Sequence, residues 1–158
     1  MDEKPRGRWS NANKFADRGK FAEKQVQSFL EGQSEMYADF AFERLPDARA
    51  ARGAFKAMAA DFDLGIGHLR VAAFLEVKET KHNYRINKDK LAQLPRLRKW
   101  AMAGRKFAVL VYHSELDGWR LIPQGFFGME GMPASWDISD ITLHSSAAAA
   151  LRDTGWFR

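Results

Sequence analysis

Helical and strand-like spacings of apolar residues alternate along this chain, and the pattern predicts one α/β domain with a mixed sheet. The predicted elements, in chain order, are a helix at 17–30, strands at 37–45, 58–66 and 71–77, a helix at 87–103, strands at 107–112 and 118–123, and a short Ala-rich helix at 145–151. Strands 58–66 and 71–77 form a hairpin in this prediction, because Gly67 supplies backbone freedom in the turn between them.

The second half of the chain defines the centre and the edge of the predicted sheet. Residues 107–112 form a near-continuous apolar run, which is typical of a strand buried on both faces. Residues 118–123 end in proline, which favours an edge strand. The preceding helix is expected to bend near Pro95 and to end at Gly104. Together these features predict a central mixed β-sheet flanked by helices.

The polarity of the chain also suggests a domain organisation. Residues 1–15 are polar and without periodicity, which predicts a flexible basic arm. Residues 16–123 hold the predicted core domain, and residues 124–158 form a C-terminal extension expected to pack on it. Residues 46–53 predict a loop that carries two arginines.

Composition narrows the function classes. The 158 residues contain no cysteine, which excludes disulfides and thiolate metal sites and fits a reducing cytoplasm. No apolar run approaches the roughly 18 residues that a membrane span needs. The net charge is +5, but ten basic residues lie between Lys78 and Lys106 against only Glu79 and Asp89. This basic block predicts binding to a polyanion, with a solvated helix face as the alternative.

A cluster of charges lies where the predicted hairpin ends. Side chains alternate along a strand, so Glu76 and Lys78 project on one face. With the turn at residues 67–70, Asp61 is expected opposite Glu76, and Asp63 opposite Phe74. A turn shifted by one residue would exchange the two aspartates, so both remain candidates. A surface salt bridge is the alternative for Glu76 and Lys78, and a solvent-facing strand edge for the aspartates.

These residue types suit phosphodiester hydrolysis. Mg²⁺ prefers hard oxygen ligands, and Asp61, Asp63 and Glu76 offer them on neighbouring strands. Lys78 can stabilise charge on the phosphate or hold the attacking water. Glu23, at the rim of the first helix's apolar stripe, can close the site directly or through water.

The order of these motifs resembles the PD-(D/E)xK nuclease superfamily, over roughly residues 18–123. The matching strings are Arg18-Gly19-Lys20-x-x-Glu23, Asp61-Phe62-Asp63 and Glu76-Val77-Lys78. The continuation to Lys81, a basic stretch and a helix with Gln93 resemble Holliday-junction resolvases of the RecU type and related phage endonucleases. Where that family usually has a proline before the aspartate, Ala60 stands here, which leaves the aspartate register open.

The resemblance implies a restriction-endonuclease-like core and a catalytic set of Glu23, Asp61 (or Asp63), Glu76 and Lys78, with Mg²⁺ or Mn²⁺ as cofactor. It also implies a supporting role for Gln93 and a homodimer that cuts branched DNA in the cytoplasm, the host's if the chain is phage-encoded. The predicted DNA-binding residues are Lys20, Lys81, Arg85, Lys88, Arg96, Arg98 and Lys99. Two alternatives stay open: a non-catalytic nucleic-acid-binding protein, and a nuclease of this fold that acts on linear duplex DNA.

Overall fold

A computed structural model describes residues 9–46 and 60–158, with side chains from residue 21 onward. The helices and strands, in chain order, are α1 (Trp9–Met36), β1 (Phe40–Arg44), β2 (Phe62–Ile66), β3 (Val71–Thr80), β4 (Arg85–Asn87), α2 (Leu94–Met102), β5 (Lys106–His113), β6 (Gly118–Pro123), β7 (Ser135–Asp137) and α3 (Ala147–Arg152). Short 3₁₀ turns cover Gly67–Leu69, Lys88–Leu91 and Gln124–Phe127.

The main sheet has five strands in the order β1-β2-β3-β5-β6. Strands β1, β2 and β3 form an antiparallel meander, and β5 runs parallel to β3 after the crossover through α2. Strand β5 is buried along almost its whole length, and β6 closes the far edge. The predicted α/β class, a central mixed sheet flanked by helices, is therefore confirmed.

The β2–β3 hairpin has the register that the sequence predicted. Phe62 pairs with Leu75 and Asp63 with Phe74. The turn begins at Gly67, whose amide donates to the Asp39 carbonyl at 2.7 Å. A Cβ at this position would lie 2.6 Å from that same oxygen, so the close approach requires glycine.

Each face of the sheet has its own apolar core. On one face, α1 and α3 pack through Val26, Leu30 and Leu151 against Phe62 and Leu75. A second core lies on the other face, against α2. Its buried members include Phe74, Leu94, Leu97, Phe107, Val109, Val111, Ile122 and Ile138. Strand alternation therefore places Val77 towards α1 and directs Glu76 to the α2 side of the sheet.

Several predicted boundaries need correction. Helix α1 already includes residues 9–15, which the sequence assigned to the flexible arm, and it continues through the exposed Gly32 to Met36. An exposed glycine lowers helix stability only modestly, so it does not end a helix that packs on the sheet through Val26 and Leu30. The first eight residues lie outside those described, as does most of the predicted 46–53 loop.

The segment between β3 and β5 also differs from prediction. Instead of one helix bent at Pro95, a 3₁₀ turn at Lys88–Leu91 precedes α2, and Pro95 lies in the first turn of α2. Proline is favoured there because the first helical amides have no partner within the helix. Strands β4 and β7 pair in a small second sheet that the sequence pattern did not predict.

The C-terminal segment contacts the core on the α1 face. Ser146 caps α3, its hydroxyl accepting from the Ala149 amide at 3.1 Å. Trp156 is buried there, and the ring of Phe157 packs edge-on against Phe29. Of the helices in the described ranges, none combines the length and apolar character that crossing a membrane requires.

Candidate active site

The centre of the site is an ion pair on β3. Glu76 lies in the middle of that strand and its side chain is only 4% exposed. Lys78, two residues further on the same face, places its Nζ 2.8 Å from Glu76 Oε1. The lysine is partly open to solvent, so the pair forms a buried carboxylate with its ammonium turned towards the surface.

Asp61 adjoins this pair from the neighbouring strand. Extending the β2–β3 pairing by one residue beyond Phe62 and Leu75 brings Asp61 opposite Glu76. Its Oδ2 accepts a hydrogen bond from the Val77 amide at 2.7 Å, and its carbonyl accepts from Leu45 at 2.8 Å. The aspartate is thus fixed by backbone donors on both neighbouring strands, beside the carboxylate of Glu76.

Burial and charge both act on the Glu76 carboxyl. The pKa of Glu76 is raised from 4.5 to about 7, first by burial and then by the neighbouring Asp61 charge, which together outweigh the lowering effect of Lys78. For Lys78, burial lowers the pKa, but the carboxylates of Glu76, Asp61 and Glu23 outweigh it, and the pKa is raised. The site therefore contains more carboxyl groups than the single ammonium of Lys78 can neutralise.

Glu23 reaches the rim of this site from α1. Its Oε2 lies 2.5 Å from an Arg44 guanidinium nitrogen on β1, and its charge contributes to the raised pKa of Lys78. The structure therefore brings Asp61, Glu76 and Lys78 together, while Glu23 is held by Arg44 on the α1 side and acts on Lys78 through its charge.

Asp63, the third predicted metal ligand, has a different environment from Asp61 and Glu76. Its Oδ1 forms an ion pair with Arg105, whose guanidinium stacks 4.0 Å from the centre of the Phe74 ring. In the part of the chain that the structure describes, no three histidine or acidic side chains converge closely enough to hold a metal together. Asp63 pairs with Phe74, two residue pairs along the hairpin from Asp61 and Glu76, and its carboxylate is bound by Arg105.

One predicted DNA-binding residue is not available to DNA. Arg98, on α2, is buried, and its guanidinium donates to the carbonyls of Phe127, Gly128 and Gly131 at 2.7, 3.1 and 2.8 Å. A fourth donation reaches the Glu130 carbonyl at 3.3 Å. The sequence could not show this, because these acceptors lie about thirty residues away. Arg98 therefore anchors the 127–131 loop and does not bind phosphate.

The other predicted contacts are compatible with solvent access. Lys81, Lys88, Arg96 and Lys99 are exposed. Arg85 is half-buried and donates to the Ser135 hydroxyl at 3.0 Å. Gln93 is half-buried at the start of α2. Lys20 belongs to α1, in the part of that helix whose side chains are not described.

Sequence reasoning missed the two arginines that partner the acids. Arg44 is the last residue of the aromatic strand β1, and alternation places it on the α1 side with Phe42, which was a usable signal for a contact with Glu23. Arg105 precedes the buried strand β5, and because β5 is parallel to β3, Lys106 pairs with Ala73. No local pattern reveals that Arg105 then reaches Asp63.

The fold and the cluster define an α/β protein with two adjacent carboxylates and a lysine at the central strand of a mixed sheet. The fold is similar to the structure of Hjc from Archaeoglobus fulgidus, a Holliday junction resolvase from an archaeal hyperthermophile. That comparison has a TM-score of 0.49 at 18% identity, and covers 87% of this chain and 98% of that chain. No protein-family model matches the sequence, and no curated protein matches it.

Proposed function

We propose that this chain is a metal-dependent endonuclease that hydrolyses phosphodiester bonds in branched DNA, as Holliday junction resolvases of the RecU or phage type do. The observation that supports this most is that Asp61 lies beside the buried carboxylate of Glu76, with the ammonium of Lys78 at 2.8 Å from Glu76. A merely structural salt bridge needs one acid and one base, whereas this cluster contains a second acid opposite the first.

The donor set fits a hard divalent cation, Mg²⁺ or Mn²⁺. Such an ion is commonly held by one or two carboxylates, with water and substrate phosphate as the remaining ligands, so Asp61 and Glu76 suffice. Their mutual repulsion, which contributes to the raised pKa of Glu76, is the imbalance that a bound cation relieves. When bound, the cation neutralises charge on the phosphate and activates water.

Lys78 and Glu23 complete the proposed catalytic set. The raised pKa keeps Lys78 protonated at neutral pH, and Glu76 orients its ammonium. A fixed ammonium at this position stabilises the negative charge that develops on the phosphate, or holds the attacking water. Glu23, held by Arg44, acts at the rim of the site, through water, on the groups that Asp61 and Glu76 bind.

The exposed lysines and arginines that follow β3 supply the proposed DNA surface. They contact phosphates whatever the sequence, which favours recognition of DNA shape, as in a four-way junction. The proposed enzyme is a homodimer in which two sites nick opposed strands, acting in the cytoplasm, or the host's cytoplasm if phage-encoded. Gln93 is proposed as a supporting polar residue at the start of α2.

The decisive experiment is cleavage of a labelled four-way junction with Mg²⁺ or Mn²⁺, using wild type and Glu76→Gln. The variant keeps the size of the side chain and removes its charge, so we expect cleavage to fall by about 10²–10³-fold, as for other electrostatic catalytic groups. Glu115→Gln is the matched control, because Glu115 is exposed in a turn and its loss leaves the rate unchanged.

The same assay separates the competing functions. Cleavage by Glu76→Gln at the wild-type rate would contradict the proposed site. A non-catalytic DNA-binding protein would bind the junction in EDTA as well as in Mg²⁺ and leave it intact. A nuclease for linear DNA would cut a duplex of the same sequence at least as fast as the junction.

A further inference from the structure

A short segment just after β3, His82–Tyr84, is anchored to the core by hydrogen bonds to its backbone. Three successive carbonyls of this segment accept hydrogen bonds from the interior. That of His82 lies 2.6 Å from His113 Nδ1, that of Asn83 accepts from Arg120 at 2.6 Å, and that of Tyr84 accepts from the Ile138 amide at 2.8 Å. The backbone of the segment therefore has a fixed position relative to the sheet.

Two buried side chains provide most of this anchor. His113 and Arg120 lie on β5 and β6, and Arg120 Nη1 is 3.0 Å from His113 Nε2. A guanidinium only donates, so Nε2 accepts and Nδ1 carries the proton that it donates to the His82 carbonyl. Burial lowers the pKa of His113, which keeps the ring neutral in this arrangement. Arg120 also donates to the Ile141 carbonyl at 2.9 Å.

The side chains of this anchored segment point outward. His82 is exposed, and Tyr84 is 44% exposed. Their rings meet edge to face, with centroids 4.6 Å apart at 85°. The Arg85 guanidinium lies 5.7 Å from the centre of the Tyr84 ring and is itself held by Ser135. An ordered aromatic pair with a cation beside it is thus presented to solvent on a rigid support.

We propose that His82 and Tyr84 form a stacking platform for an unpaired nucleobase of the DNA bound at the Asp61–Glu76–Lys78 cluster. This inference rests on the proposed function and names the feature of the substrate that the enzyme prefers. Every base has a flat aromatic face, so such a platform recognises unpaired DNA without reading its sequence. An intact duplex keeps its bases stacked on one another and offers none to the platform.

The position of the platform suits this role. His82 follows Lys78 by four residues, which span about 14 Å at most. That distance corresponds to about four nucleotides at the 3.4 Å spacing of one strand. Exposed Lys81 and Lys88 lie on either side of the platform in sequence, where they can contact the phosphates of the same strand. The platform would then select DNA with unpaired bases close to the cleaved bond.

The test is a binding measurement in EDTA with two fluorescent DNAs, an intact duplex and the same duplex with a short unpaired bulge. Stacking of one base contributes about 1–3 kcal/mol, so we expect Tyr84→Ala to weaken binding to the bulged DNA by at least roughly fivefold. Affinity for the intact duplex stays within about twofold, since phosphate contacts are unchanged. Tyr84→Phe keeps the ring and retains the preference for the bulge.

Trp100→Ala provides the matched control, because Trp100 is also 44% exposed but lies on α2. We expect it to leave the preference for the bulge unchanged. Equal weakening of both DNAs by Tyr84→Ala, or the same loss of preference in Trp100→Ala, would overturn the platform. Thermal unfolding of each variant establishes that it is folded.

Failure of the platform and failure of the nuclease proposal give different results. The bulge preference is measured without metal and without cleavage. A preference for bulged DNA that depends on Tyr84, without any junction cleavage, would support the platform and contradict the nuclease proposal. Junction cleavage by wild type, with no effect of Tyr84→Ala on binding to either DNA, would support the nuclease proposal and contradict the platform.

Discussion

Asp61 and Asp63 lie two residues apart on one face of the same sheet, yet their surroundings give them different chemistry. Asp63 is paired with Arg105, which in turn stacks on Phe74, so its charge is balanced. Asp61 has a backbone amide as its hydrogen-bond donor and the buried carboxylate of Glu76 as its neighbour. We therefore expect the acid whose charge the fold leaves uncompensated, Asp61, to be the one that acts in the proposed catalysis.

The largest expected effect comes from neutralising the two aspartates separately. Asp61→Asn removes one of the two proposed metal ligands, and we expect junction cleavage to fall by about 10²–10³-fold. Asp63→Asn breaks only the Arg105 ion pair, so its cleavage rate stays within a few-fold of wild type, with a lower melting temperature. Single-turnover cleavage and thermal unfolding measure the two effects.

The opposite ranking would show that Asp63 is the catalytic aspartate and that the Arg105 pair opens in the working enzyme. Equal loss of activity in the two variants would remove the distinction between the two environments. In either case the register of β2 against β3 would no longer identify the ligand.

The second effect is a pH dependence of stability that belongs to Glu76. Its pKa in the folded protein is about 7, above the 4.5 of an unperturbed carboxyl, so the folded state binds the proton more tightly. The resulting stabilisation is fully present below pH 4.5 and is lost as the pH rises through 7, a change on the order of 3 kcal/mol.

Urea unfolding of wild type and Glu76→Gln at several pH values, without metal, measures this effect. We expect the free energy of unfolding of wild type to decrease relative to the glutamine variant between pH 4.5 and 7, and the difference to level off above 7. A constant difference across this range would mean that Glu76 ionises normally and is not crowded by Asp61. Asp63→Asn should leave the pH profile of the difference unchanged.

The smallest effect concerns neighbouring basic residues on α2. Arg96 and Lys99 are exposed, so each alanine variant should flatten the slope of log K against log salt by about 0.9, one phosphate contact. Arg98 is buried among carbonyls, so Arg98→Lys should leave that slope unchanged and lower the melting temperature. Fluorescence anisotropy over a salt series measures the slopes. A flatter slope for Arg98→Lys in a fully folded protein would contradict its structural role.

The part of the fold that could be predicted depends on local pattern. Alternation along 71–77 and the glycine at the turn favour the hairpin register that the structure has, with Asp61 opposite Glu76, although a turn shifted by one residue also fits the sequence. The apolar run of β5 likewise indicates a strand buried on both faces. These features need no knowledge of distant parts of the chain.

What could not be predicted depends on contacts between distant segments. Arg98 looks like its neighbours Arg96 and Lys99 in the sequence, and only the 127–131 loop makes it an interior residue. The Arg105–Asp63 pair arises because β5 docks parallel to β3, which no spacing reveals. The small β4–β7 sheet is three residues long on each side, too short for a periodic signal.

The most direct test of the central claim is Mn²⁺ binding, measured by electron paramagnetic resonance on wild type, Glu76→Gln and Asp63→Asn. We predict that wild type binds the ion more tightly at pH 8 than at pH 6, because Glu76 must lose its proton to act as a ligand. Glu76→Gln should lose most of this binding and Asp63→Asn should keep it. Absence of Mn²⁺ binding by wild type at pH 8, or undiminished binding by Glu76→Gln, would contradict the account.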